Sequence, residues 1–132
     1  MFPIRDLVPT YKFDYEVLGK LRKLDLNKID INPIIPELFE WIQNINWPIA
    51  PDLCKILATF RANDIIPQIK LVLNSGDDCW QNSCLCYLIP ELPIEVKREL
   101  LPDLLRIATS PTEIEKYCEF DSYAKKMIDS LS

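Results

Sequence analysis

The fold is decided by residues 32–51, NPIIPELFEWIQNINWPIAP. Asn32 is a favourable N-cap because its side-chain oxygen can accept a hydrogen bond from a free main-chain N–H, and Pro33 then occupies the first helical position. Pro48 disfavours helical angles at Trp47 and ends the segment. Between these limits, apolar residues recur every three or four positions, as in a helix with one buried face: Ile35, Leu38, Trp41 or Ile42, and Ile45. The stretch therefore predicts a helix, a corner and the start of a second helix.

Helical periodicity continues on both sides of this stretch. A first helix is predicted to be capped by Asp14 and to run to about Lys23, and a polar connection follows it. Apolar spacing and breaking residues then predict four further helices: Pro48 to about residue 61, one capped by Asp64 that stops at Gly76, one capped by Asp77 and Asp78 that runs to about Leu88, and a long amphipathic helix from Ile94 to Ala108.

The two ends of the chain differ in pattern. Residues 1–13 contain Pro3 and Pro9 and no sustained period, so we expect an extended lead-in. Near the C-terminus, Ser110 and Glu113 fit a capping box with a proline between them, followed by a short helix and a final helix. No stretch alternates cleanly enough to predict a strand.

An apolar–Pro–polar–apolar pattern occurs three times, at residues 35–38, 66–69 and 101–104. The prolines lie 31 and 35 residues apart, and a predicted helix precedes each later copy. Such a period is typical of helix-pair repeats, in which each pair buries its apolar face against its neighbour. The alternative is that this pattern is simply a common helix start. The repeat predicts three stacked pairs with the C-terminal helices as a cap: Asp14–Ile45, Pro48–Asn74 and Asp77–Thr109.

Composition supports one helical domain over residues 1–132. The 48 % hydrophobic and 27 % charged content is that of a globular protein, and two glycines against eleven prolines disfavour a β-sandwich with tight hairpins. We expect no secretory signal and no membrane span, because the chain lacks both apolar patterns. Five cysteines, an odd number without secreted-scaffold composition, predict reduced thiols and a cytoplasmic protein.

The net charge of −5 bears on the partner. Nucleic-acid binding depends mainly on neutralising phosphates with basic side chains, so an acidic chain disfavours it. An acidic body suits a basic protein partner, although a need for solubility would explain the charge equally well.

Several segments together resemble a known family: Asp6–Pro9 with Lys12 and Asp14, residues 38–42 with 46–50, and Leu88–Pro90. The family is uncharacterised and bacterial, is designated domain of unknown function 5071, and is HEAT-like in build. The resemblance spans nearly the whole chain and implies an all-α, HEAT-like α-α superhelix of about three helix pairs plus C-terminal capping helices. It implies no activity. The cysteine-rich segment Cys79–Cys86 is not a feature that we associate with the family.

The residue content argues against catalysis. The chain has no histidine, which removes Ser-His-Asp and Cys-His catalysis and the usual neutral-pH base, and it has no glycine-rich phosphate loop. Glu37 and Glu40 are expected to be solvated helix-start charges. The spacing of Cys79, Cys84 and Cys86 matches neither C-x-x-C nor a paired zinc pattern, so we interpret them as buried structural thiols. No catalytic residue, metal or cofactor is predicted.

The tryptophans are the best functional signal. Trp41 and Trp47 flank the corner, where core packing and a partly exposed protein-binding anchor are both open interpretations. The predicted binding residues surround this corner: Glu40, Trp41, Asn44, Asn46 and Trp47.

The leading hypothesis is a non-catalytic module that binds another protein. One concrete form is an immunity-type protein that neutralises a bacterial toxin. The alternative is a small-ligand-binding protein or an enzyme with a carboxylate- and tyrosine-lined groove. The oligomeric state is left open by the sequence.

Overall fold

The computed structural model describes residues 4–131, and every regular element in that range is a helix, as the sequence predicts. Nine α-helices lie in this range: α1 Tyr15–Arg22, α2 Ile35–Glu40, α3 Ala50–Leu57, α4 Ala62–Leu73, α5 Asp78–Asn82, α6 Ile94–Glu99, α7 Leu101–Thr109, α8 Glu113–Tyr117 and α9 Phe120–Asp129. They are joined by 3₁₀-helices at Ile4–Leu7, Asn32–Ile34 and Ile89–Glu91, and by a π-helical segment at Ser83–Leu88.

Two of the predicted helix caps are confirmed. The Asp14 carboxylate accepts a hydrogen bond from the Val17 N–H at 3.3 Å and begins α1. The Asp77 carboxylate accepts one from the Trp80 N–H at 3.1 Å and begins α5. Both caps satisfy N–H groups that have no partner within the helix, as the short polar side chain at each site predicted.

The predicted caps at Asn32 and Asp64 are wrong. Asn32 lies inside a 3₁₀-helix, and its amide group donates to the Asp64 carboxylate at 2.9 Å. α4 begins three residues earlier than predicted because Arg61 has extended angles, φ −63° and ψ 139°, and is itself the N-cap. Asp64 therefore lies in the first turn of α4, where its carboxylate accepts the hydrogen bond from the Asn32 amide.

The C-terminal capping box is real but lies two residues further along the chain than predicted. Thr112 rather than Ser110 is the N-cap, and Glu115 rather than Glu113 completes the box. Glu115 was not identified from sequence as a buried residue, yet it is only 1 % exposed. Its carboxylate accepts a hydrogen bond from the Thr112 N–H at 2.8 Å and others from Gln81 on α5 and Arg106 on α7.

The helix predicted to reach Ile45 ends at Glu40 instead. The Gln43 N–H bonds to the Glu40 carbonyl at 3.2 Å rather than to the Phe39 carbonyl, which tightens the last turn. The Phe39 carbonyl accepts the indole N–H of Trp80 at 2.9 Å. A side chain from α5 therefore shares this acceptor with the Ile42 N–H, which bonds to it at 3.1 Å.

Two other predicted elements differ in regularity. The lead-in is not extended over its described part, because Ile4–Leu7 is a 3₁₀-helix and residues 8–13 are mostly bends and turns; residues 1–3 lie outside the described range. The long helix from Ile94 is divided at Leu100, which has φ −93° and ψ 1°. Pro102 has no N–H to donate to the preceding turn, which weakens the helix at this point.

The helices lie in two rows. In one row α1 packs on α3, α3 on the π-helical segment, and that segment on α9; in the other α2 packs on α4, and α4 on α6. α7 packs closely on α9 at the C-terminal end. One hydrophobic core extends between the rows from Leu7 to Leu131.

Several polar contacts between neighbouring elements join residues 32 to 34 positions apart in sequence. Those 32 residues apart join Arg5 to Glu37, Asn32 to Asp64 and Asn74 to Arg106; those 33 apart join Tyr15 to Pro48 and Arg98 to Leu131; and Gln81 meets Glu115 at 34. This spacing falls between the two proline spacings of the sequence pattern. Elements that lie about one such interval apart in sequence are therefore in contact.

No helix within residues 4–131 has both the length and the apolar content needed to cross a bilayer.

Candidate functional site

Residues 41–49 form the corner between α2 and α3 and contain no regular helix. The rings of Trp41 and Trp47 pack against each other in a tilted arrangement, with centroids 5.7 Å apart and planes at 59°. Such aromatic pairs contribute about 0.5–1.5 kcal/mol beyond the area they bury. Both side chains touch the hydrophobic core and both remain partly exposed. Core packing and partial exposure, the two interpretations left open by the sequence, therefore both apply to Trp41 and Trp47.

The segment before α1 lies directly against this corner. The Ile49 N–H donates to the Lys12 carbonyl at 3.2 Å, and the Tyr15 hydroxyl donates to the Pro48 carbonyl at 3.0 Å. These two hydrogen bonds fix the start of α1 beside Trp47. The corner and the N-terminal segment therefore form one continuous surface.

Three aromatic side chains of that segment are about half exposed: Tyr11 at 55 %, Phe13 at 52 % and Tyr15 at 47 %. The Lys12 ammonium lies 5.7 Å from the centroid of the Phe13 ring, within the range of a cation–π contact. We call Tyr11, Phe13, Tyr15, Trp41 and Trp47 the aromatic surface.

Only Trp41 and Trp47 of the aromatic surface were predicted from sequence, because residues 1–13 were interpreted as an extended lead-in. The missed signal is an alternation of aromatic and charged residues over Tyr11–Tyr15. In a half-buried segment that pattern would place the aromatic residues together.

The other predicted site residues lie along the same corner but face a different neighbour. Glu40 is exposed at the end of α2. The Asn44 side-chain oxygen accepts a hydrogen bond from the Asn46 N–H at 2.9 Å, which closes the turn. Asn44 and Asn46 line a cavity of about 280 Å³ together with residues from α5 and the start of α9.

A second cavity of about 450 Å³ continues from the first along α9. The two share Asn82, Cys118 and Phe120, so they form one open depression, which we call the corner–α9 groove. Its remaining lining residues are Asn44, Ile45, Asn46, Asp78 and Cys79 at the corner end, and Cys86, Glu119, Ser122, Tyr123 and Lys126 at the far end. Only the two asparagines of this set were predicted from sequence.

Two thiols and one phenol of the groove, those of Cys86, Cys118 and Tyr123, stay protonated at neutral pH. Burial raises the pKa of Cys86 to about 11, and burial, with smaller contributions from Asp78 and Cys79, raises the pKa of Cys118. Burial likewise raises the pKa of Tyr123. Because the thiolate is the reactive form of cysteine, the groove contains two thiols that are poor nucleophiles.

The sequence predicted that Cys79, Cys84 and Cys86 are buried, and the structure confirms this only in part. Cys54 and Cys84 are fully buried, and burial raises the pKa of Cys54 to about 12. Cys86 is partly exposed, and Cys79 is exposed, so the prediction is wrong for Cys79. Cys79 lies near the N-terminal end of α5, on the exposed side of that helix.

One cluster has the donor types of a metal site. Ligand atoms of Asp77, Asp78 and Cys79 lie within 4.8 Å of one another, and all three residues are exposed. Asp77 already accepts a hydrogen bond as the cap of α5. The cluster is accounted for by the helix start.

A match to a protein-family model identifies the family of this chain. The model for the domain of unknown function DUF5071 matches residues 7–128, which include the whole aromatic surface and the whole corner–α9 groove. The chain belongs to the DUF5071 family. The resemblance recognised in the corner sequence is thereby confirmed. No curated protein matches this DUF5071 chain.

Proposed function

We propose that this DUF5071 protein is a non-catalytic module that binds another protein through its aromatic surface. The observation that carries the proposal is the position of three half-exposed aromatic side chains, Tyr11, Phe13 and Tyr15, beside the Trp41–Trp47 pair. Tyrosine and tryptophan are enriched among the residues that dominate binding energy at interfaces. Grouped aromatic exposure of this kind is typical of an interaction site rather than of an ordinary surface.

Binding is favoured over chemistry by the groups available. The chain has no histidine, and the pKa values of the groove thiols Cys86 and Cys118 are raised by burial. A small-ligand site is the second candidate, because the corner–α9 groove has a cavity of about 450 Å³ lined in part by Glu119 and Tyr123. A bound small molecule would use the groove and leave the aromatic surface free.

The scaffold of the proposal is a HEAT-like superhelix of three helix pairs. It is supported by the two rows of packed helices and by polar contacts that recur 32 to 34 residues apart. Stacked repeats of this kind hold extended surfaces in fixed positions. The N-terminal segment and the corner would then form one edge of the stack.

The proposed partner is a basic protein in a bacterial cytoplasm. The net charge of −5 favours a basic partner, and the free thiols suit a reducing compartment. An immunity-type role, in which the chain neutralises a toxin, is the most concrete form of this proposal. A neighbouring gene that encodes a secreted toxin would support that role, whereas isolated genes in varied contexts would count against it.

The test is quantitative co-purification from the native organism with tagged wild-type, Phe13→Ala, Trp47→Ala and Leu71→Ala proteins. Leu71 is the matched control because it is apolar, 65 % exposed and on α4, outside the aromatic surface. We expect partner recovery to fall at least about tenfold in Phe13→Ala and Trp47→Ala, as for loss of an interface anchor, and to be unchanged in Leu71→Ala. Circular dichroism confirms that each variant is folded. Undiminished recovery in both aromatic variants would exclude this surface.

A further inference from the structure

We propose that the corner–α9 groove receives an extended basic segment of the same partner protein. This inference rests on the proposed function, since it assigns a second contact to the protein that binds the aromatic surface. The two sites are adjacent because residues 41–49 contribute Trp41 and Trp47 to one and Asn44 and Asn46 to the other. A single partner can therefore contact both without a change in the fold.

The groove is lined by side-chain amides suited to an extended main chain. Asn44, Asn46 and Asn82 lie along its corner end. Each amide offers donors and an acceptor, whereas an extended peptide presents unpaired N–H and C=O groups along its length. The Asn44 oxygen is occupied by the Asn46 N–H, which leaves the Asn44 amino group to donate. This donor and acceptor set matches peptide backbone better than it matches a single charged group.

Two carboxylates give the groove its preference for basic side chains. Asp78 lies at the corner end and Glu119 at the α9 end, and neither takes part in an ion pair with another residue of the described range 4–131. Lys126 is the one basic residue of the lining and lies at the far end. Charge complementarity therefore favours Lys or Arg side chains near the corner.

The backbone of Glu119 adds to this argument. Its φ is 63°, in the left-handed region, where glycine or asparagine is accommodated at lower cost. A carboxylate is thus held at the groove in a conformation that the residue itself disfavours. Strain of this kind is concentrated at functional positions.

The corner end of the groove offers apolar surface to the carbon chains of basic residues. Phe120 is only 4 % exposed and lies under the middle of the groove, and Ile45 contributes apolar surface at the corner end. Lys and Arg side chains place their methylene stems on such surfaces while their charged ends reach a carboxylate. The lining therefore provides separate contacts for the backbone, stem and charge of one basic segment.

The test is fluorescence anisotropy with the full chain and a short labelled peptide that carries Lys or Arg at every second position. The variant Asp78→Asn/Glu119→Gln removes both groove carboxylates. The control Glu95→Gln/Glu99→Gln makes the same change in net charge on α6, where both residues are exposed. We expect the groove variant to weaken peptide binding roughly three- to tenfold and the control to change it less than twofold.

A counterpart peptide with Glu in place of each Lys or Arg should not bind. The proposal is overturned if the wild-type protein does not bind the basic peptide, if it binds both peptides equally, or if the two double variants are weakened to the same extent. None of these results affects the partner recovery measured with Phe13→Ala and Trp47→Ala. Failure of the groove proposal is therefore distinguishable from failure of the aromatic surface.

Discussion

The indole N–H of Trp80 donates a hydrogen bond to the main-chain carbonyl of Phe39 over 2.9 Å. This contact joins the start of α5 to the end of α2, 41 residues earlier in the chain. The Phe39 carbonyl lies at a helix C-terminus and also accepts the Ile42 N–H at 3.1 Å, so the indole is a second donor to it. The contact also brings α5 against the corner, so that Asp78 and Asn82 face Asn44 across the groove. The Trp80–Phe39 hydrogen bond therefore connects the end of α2 to the corner–α9 groove.

Trp80→Phe should destabilise the protein, because it keeps an aromatic ring and removes the donor. The Phe39 carbonyl keeps its bond from the Ile42 N–H, so the loss is that of one ordinary hydrogen bond, about 0.5–1.5 kcal/mol. We expect the urea midpoint to fall by a corresponding amount. Tyr117→Phe is the control, since Tyr117 is 90 % exposed and lies away from this contact. An unchanged midpoint in Trp80→Phe would mean that the Phe39 carbonyl is satisfied without the indole.

Glu115 should make the stability of the protein depend on pH in acid. Burial opposes its ionisation, but hydrogen bonds from Arg106, the Thr112 N–H and Gln81 outweigh burial and lower the pKa of Glu115 from 4.5 to about 2. Because the pKa of Glu115 is lower in the folded protein than in the unfolded chain, ionised Glu115 stabilises the folded protein at pH values above the unfolded-state pKa. The contribution, roughly 2 kcal/mol after allowance for the solvent-exposed Arg106, is lost as the pH falls from about 4.5 to 2.

The measurement is the free energy of unfolding as a function of pH for the wild type and Glu115→Gln. The variant should be less stable at pH 7 and should show a smaller slope between pH 4.5 and 2. Glu113→Gln is the control, because Glu113 is exposed on the same helix. Equal slopes for wild type and Glu115→Gln would show that this carboxylate is not the source of the acid dependence.

Glu119→Gly should stabilise the protein while weakening the groove. The φ of 63° is unfavourable for a residue with a Cβ and favourable for glycine. We expect a gain of about 1 kcal/mol in the free energy of unfolding. The same variant should bind the basic peptide more weakly, since it lacks the carboxylate. A variant that is less stable, or that binds the peptide unchanged, would contradict the role given to Glu119.

The thiols should react in an order set by exposure. Cys79 is exposed and should be alkylated first by iodoacetamide in the native protein. Cys86, whose pKa burial raises to about 11, should follow slowly, and the buried Cys54 and Cys84 should react only on unfolding. Mass spectrometry of peptides over time gives the order. Labelling of Cys54 in the first phase would mean that the core opens more readily than the packing indicates.

The helical class and most helix positions could be predicted because the apolar period and the prolines act locally. Asp14 and Asp77 cap helices for reasons contained in a few neighbouring residues. The contact of Trp80 with the end of α2 could not be predicted, because Trp80 is distant in sequence. Asn32 was mistaken for a cap for the same reason, since its amide contacts Asp64 of α4.

The candidate site divides in the same way. Trp41, Trp47, Asn44 and Asn46 lie within one short stretch, and the corner alone indicated them. The half of the groove that lies on α5 and α9 depends on how helix pairs stack, which no local pattern contains. The aromatic residues 11, 13 and 15 were within reach of sequence reasoning, but the prolines before them favoured an irregular segment.

The central claim, that the aromatic surface is a protein-binding site, is tested most directly by photocrosslinking in the native organism. A photoreactive phenylalanine analogue replaces Phe13 in one protein and Leu71, the exposed apolar control, in another. We predict one discrete crosslinked protein from position 13, lost when Trp47→Ala is added, and none from position 71. Equal crosslinking from both positions, or a product from position 13 that persists with Trp47→Ala, would contradict the account.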